Sequence, residues 1–156
     1  ELLRLVSHRP LTAAAIVSFG FRGMAAARKA ARKGDTEAAI RHLGEAVLGR
    51  KHFRQLSEKR KRQVRDNFIG AELLGSGLPP LDAARLRSLR VPALLLGATE
   101  SPALFRHLLN GLQALLPPAR RYDISHASHI MHEDNSRAFN RVVCSFLRAV
   151  ERQRNR

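Results

Sequence analysis

The chain has 156 residues, 44% of them apolar, and a formal charge of +15. That length suggests one domain or a large piece of one, and that apolar content excludes wholesale disorder. The single cysteine, Cys144, excludes an intramolecular disulfide framework and a Cys-based zinc site.

The positive charge comes from 23 Arg and 5 Lys against 13 acids. It is spread along the chain, with 16 basic and 7 acidic residues in 1–78 and 12 and 6 in 79–156. Such a field attracts nucleic acid or anionic surfaces non-specifically, and no separate basic tail marks a dedicated site. The longest weakly polar run, Leu11 to Phe21, is 11 residues. A membrane span needs about 20, so no span is expected. No secretory leader pattern stands at the N-terminus, and a cytoplasmic chain is expected. The first residue is Glu1 rather than Met, which reads as a cut start.

Residues 12–33 are rich in alanine and predict a helix, with Gly20 and Gly23 imposing a kink or a break. Gly34 stops it and Asp35 caps the next helix. There Ile40, Leu43 and Val47 share one face, and Gly49 ends it. Ser57 is the expected cap of a third helix, running to about Leu74 with Val64, Phe68 and Leu73 inward. Gly75-Ser76-Gly77 and Pro79-Pro80 then form the strongest break in the chain.

Beyond it, Asp82 caps a short helix over 83–89. The apolar run Val91 to Gly97 suits a buried strand of a parallel sheet. Ser101 and Pro102 open a helix whose buried side is Leu104, Leu108, Leu112 and Leu115. Arg120 to Ile124 is a second strand, and a His-rich loop runs from Ser125 to Asp134. Ser136 opens the last helix, with Phe139, Val142, Val143, Phe146, Leu147 and Val150 at helical spacing. Cys144 falls inside this buried pattern, and the polar tail Glu151 to Arg156 is expected to fray. Residues 79–156 thus read β-α-β-α. The expected fold class is α/β, the end of a larger parallel sheet whose first strands are missing.

Three segments carry a resemblance. They are Leu89-Arg90-Val91-Pro92-Ala93-Leu94-Leu95-Leu96-Gly97, Ser101-Pro102-Ala103-Leu104-Phe105 with its helix, and Ala127-Ser128-His129-Ile130-Met131-His132-Glu133-Asp134-Asn135 with Phe139 following. In this order and spacing they resemble the C-terminal part of α/β-hydrolase-fold enzymes. The first is like the penultimate core strand, and the third is similar to the loop that holds the catalytic histidine. The resemblance implies a helical cap over 1–78 and the C-terminal part of the core over 79–156, with the N-terminal core strands missing.

The resemblance also implies a chemistry, the hydrolysis of an ester or related bond by a nucleophile, a histidine and an acid. Imidazole serves as base near neutral pH, and His129 occupies the family's position for it. His126 stands where the family usually has Gly, and strain is expected because His enters positive φ less readily. His132 reads as loop packing. The acid, which would orient the imidazole, is open between Glu100 and Glu1. The family's Gly-x-Ser-x-Gly elbow is absent, Gly75-Ser76-Gly77 lacks its spacing, and Cys144 is no substitute.

The implied partners are a small-molecule substrate and either the N-terminal half of the core or a second copy, with no cofactor or metal. The alternative is an inactive basic interaction or nucleic-acid-binding protein. Its candidate surface is Arg50 to Arg65, including Lys59, Arg60, Lys61 and Arg62, which otherwise reads as a solvated helix face.

Overall fold

The computed structural model describes residues 10–68, 81–116 and 118–155. They fall into two compact units, one from the N-terminal part with Pro102–Leu104 and one from the remainder, divided in the chain between Pro79 and Pro80.

The first unit is helical. Helix α1 (Pro10–Arg32) is continuous, because its middle, Phe19–Ala25, is a π-helical stretch. Gly20 and Gly23 therefore widen the helix instead of breaking it. Gly34 sits at φ 75, the left-handed conformation that ends a helix and that glycine adopts without strain. Asp35 then caps α2 (Thr36–Leu48), its carboxylate accepting from the Ala38 N–H at 2.9 Å. The two helices approach closely along small residues. A methyl at Gly23 would lie 2.5 Å from Ala46 Cβ. Ala27, Ala39 and Leu43 form the core, with Phe19, Met24 and Val47 packed around it.

Gly49, at φ 81, ends α2. It leads into α3 (Arg50–Gln55), a helix the sequence reading did not anticipate. Phe53 of α3 lies over Gly44, where a Cβ would meet its ring. Helix α4 (Glu58–Phe68) starts at Ser57, whose hydroxyl accepts from the Arg60 N–H at 3.2 Å. The expected continuation to Leu74 lies outside the described residues.

The second unit begins with α5 (Ala83–Ser88), capped by Asp82, which accepts from Ala84 and Arg85. Strand β1 (Leu94–Ala98) follows, then α6 (Ala103–Leu115), β2 (Arg120–Ile124), α7 (Met131–Asp134) and α8 (Ser136–Arg154). The strands pair in parallel, Leu94 opposite Arg120 through Ala98 opposite Ile124. On one face Ile124, Ala127 and Met131 form the core with Leu96, Ala98, Ala138, Phe139 and Val142.

Several expectations are corrected here. The α/β class, the C-terminal part of an α/β-hydrolase core, is not the architecture observed. Of the described residues 71% are helical, and the sheet is two strands of five residues. The apolar run before β1 predicts a strand covered on both sides. Only Leu94–Ala98 of it pairs, with a single neighbour, and Val91 is 62% exposed. Cys144 is exposed. It lies two residues past Val142, about 200° further round a helix of 3.6 residues per turn. Leu147 is exposed as well, so the buried side of α8 is narrower than its apolar spacing. The expected frayed tail is helical through Arg154. Lastly, the 11-residue apolar run does not bound its helix. With 23 residues, α1 is long and apolar enough to cross a membrane by length and composition.

Candidate functional site

The site lies in the second unit at the C-terminal ends of the two strands. Alternation along β2 sends Ile124 to the α8 face, and so turns its neighbours Asp123 and Arg121 to the α6 face. Arg121 accordingly donates to Asn110 and Gln113 of α6. It also pairs with the Asp123 carboxylate, Nη2 to Oδ2 at 3.3 Å. Opposite Asp123 in register is Gly97. A Cβ there would collide with Asp123 Oδ1 and would stand 2.9 Å from Leu109 Cδ1. Glycine is thus what lets this carboxylate lie across β1.

The loop after β2 is tied to the turn after β1 by three hydrogen bonds. The Thr99 N–H donates to Ile124 O at 3.0 Å, the Glu100 N–H to Ala127 O at 2.9 Å, and the His126 N–H to Thr99 Oγ1 at 3.0 Å. His126 adopts φ 53, the conformation expected at a position that suits glycine. The loop's far side is held by Asp134, whose Oδ2 accepts from the Ser128 N–H at 2.7 Å, and by Asn135, which donates to Ser125 O at 3.0 Å. Ser128 is fully buried. These bonds anchor the residues on either side of His129.

The His129 ring stacks on Phe105 of α6, centroids 4.0 Å apart and planes 24° from parallel. Both line a pocket of about 420 Å³, bounded also by Gly97, Leu108, Leu112 and Asp123. That is the size of small-molecule sites, and its mostly apolar wall with a few polar groups is their usual make-up. His129 is exposed to solvent, but partial desolvation against its neighbours lowers its pKa below the ordinary value, and the nearby His132 lowers it further. At neutral pH, where an ordinary imidazole is already mostly uncharged, the neutral form is favoured further.

Of the other predicted residues, Glu100 is brought to His126, Oε1 to Nδ1 at 3.9 Å. His132 lies against Glu133, 3.4 Å away, and edge-on to Phe139. Glu1 and Gly75-Ser76-Gly77 lie outside the described residues. Among the described residues no hydroxyl or carboxylate is hydrogen-bonded to His129, and no cluster of three metal-ligating side chains occurs. Asp123 was not singled out in the sequence. The signal available was a carboxylate inside a strand, in register with a glycine on the strand before it.

The basic segment in the first unit divides between α3 and α4. Part of its charge is offset by Arg50–Glu45, Lys61–Glu58 and Arg65–Glu37 pairs, and Arg60 donates to Gln63. Comparison with known protein families, curated proteins and solved structures finds no match to this chain.

Proposed function

We propose that the second unit binds a small acyl compound in the pocket beside β1 and that His129 acts there as the general base for hydrolysis of its ester or related bond. One observation carries this reading. An imidazole stacked on Phe105, its ring exposed to solvent yet biased to its neutral form, forms part of the wall of an apolar pocket of small-molecule size. Neutral imidazole can accept the proton of an attacking hydroxyl and return it to the leaving group. The likeness of the 127–135 loop to the catalytic-histidine loop of α/β-hydrolases favours the same role, without that family's fold. Asp123 polarises the pocket, and its charge is balanced by Arg121. Among the described residues no hydroxyl is bonded to His129, so these residues supply the base and the cleft.

The reading is tested by binding. Nitrophenyl butyrate, added to the intact chain, should shift the His129 ring resonances saturably. Replacing Phe105 by Ala should weaken that binding. Absence of a saturable response at His129 would sink the proposal.

A further inference from the structure

Outside that pocket, one side of α1 is exposed along the helix. Its buried side is marked by Ala13, Gly23 and Ala27. Its exposed positions recur every three or four residues through the π-helical stretch: Leu11, Ala14, Val17, Phe21, Ala25, Arg28, Arg32. The stripe is divided along its length. Its first half presents Leu11 at 76% exposure and Phe21 at 74%, with Val17 between them. Its second half is cationic, with Arg28, Lys29, Arg32 and Lys33 around an open groove floored by Gly20 and Met24. Among the described residues none of these four cations is paired with a carboxylate, unlike Arg50, Lys61 and Arg65 of α3 and α4.

We propose that α1 is an interfacial helix that docks the first unit on an anionic lipid surface. Leu11, Val17 and Phe21 enter the acyl boundary, and the Arg28–Lys33 end lies against headgroup phosphates. Binding in this interface scales with the apolar area buried plus the attraction of cations to anionic lipid, and the exposed apolar side chains and the adjacent basic cluster of α1 supply one each. The lengthwise division tilts α1, apolar end inward. Spanning the bilayer is disfavoured. It would carry Arg22 into hydrocarbon and strip α1 from the Ala27, Ala39 and Leu43 core. Nucleic acid matches the cations but gives three exposed apolar side chains nothing to bury against. A second copy of the chain would bring the same uncompensated cations together.

The test uses the intact chain and vesicles of phosphatidylcholine, with or without phosphatidylserine. Sedimentation with the vesicles should require phosphatidylserine and fall with salt. Replacing Arg28, Lys29, Arg32 and Lys33 together by Gln should weaken binding at least tenfold, as an order-of-magnitude expectation for four surface cations. The charge-matched change of Arg137, Arg141, Arg148 and Arg152 on α8, all exposed, should leave it within about twofold. The chain has no tryptophan, so Phe21→Trp adds a local probe. Its emission should shift to the blue on anionic vesicles, whereas Leu147→Trp should not.

Equal loss in the two quadruple variants would mean diffuse charge and overturn the proposal. So would equal binding to neutral vesicles, or an unshifted Phe21→Trp. Displacement by polyuridylate together with indifference to Phe21→Ser would make nucleic acid the occupant. A dimer dissolved by Phe21→Ser, with no vesicle binding, would make it a second copy. None of these readouts depends on the His129 pocket, so each proposal can fail alone.

Discussion

Replacing Gly97 by Ala tests how the pocket is built. Gly97 is not in the left-handed region, since only Gly34 and Gly49 are positive-φ glycines among the described residues, so the effect is steric. The new methyl meets the Asp123 carboxylate and stands 2.9 Å from Leu109 Cδ1, against about 3.5–4.0 Å for comfortable carbon contacts. Overpacking of this kind costs about 1–3 kcal/mol. Turning Asp123 aside gives up its pair with Arg121, worth about 0–1 kcal/mol at such a partly exposed site. Alanine returns roughly 0.5–1 kcal/mol of backbone entropy. The net is a loss of about 1–2 kcal/mol, which at ~2–4 °C per kcal/mol for a chain of this length lowers the melting temperature by roughly 2–8 °C.

The decisive comparison is a double-mutant cycle with Asp123→Ala, followed by circular dichroism at fixed chain concentration. Removing the carboxylate clears the nearest obstacle, so Gly97→Ala should cost about 1 kcal/mol less in that background. A neutral Gly97→Ala, or strict additivity with Asp123→Ala, would refute the placement of Asp123 over Gly97.

The chain by itself should hydrolyse no nitrophenyl ester above background, because among the described residues no nucleophile is bonded to His129 and catalysis without a triad rests on an oxyanion hole. Turnover abolished by His129→Ala would contradict this. His129 has a lowered folded pKa, so the unfolded chain takes its proton first as pH falls. Its contribution to stability should be intact above the ordinary value of 6.5 and decline as pH drops through it toward the folded value. Denaturant melts on either side of that pH should show the decline, and His129→Gln should flatten it. Among the described residues strand β1 has one paired neighbour, which leaves an edge that can template another chain. Sedimentation should therefore show self-association or an unstable monomer, whereas a monodisperse monomer with one sharp transition would refute it.

Local chemistry was legible in the sequence. Asp35, Ser57 and Asp82 cap helices because a short side-chain oxygen reaches an N–H two or three residues on. Gly34 and Gly49 end helices because they can take positive φ. Strand β2 matches its expected bounds, Arg120–Ile124. All of these depend on neighbours within a few residues. The size of the sheet does not. A run such as Val91 to Gly97 announces an apolar strand but not how many strands will flank it, and the expected α/β core gave way to a single parallel pair. Cys144 and Leu147 share an apolar helix pattern with Phe139 and Val142, yet only contact with the strands decides which of them is covered. Likewise Asp123 enters the pocket because register sets it opposite Gly97, and His129 meets Phe105 across 24 residues of chain. Backbone preference acts between near neighbours, whereas burial and register belong to segments distant in sequence, and these only the folded chain brings together.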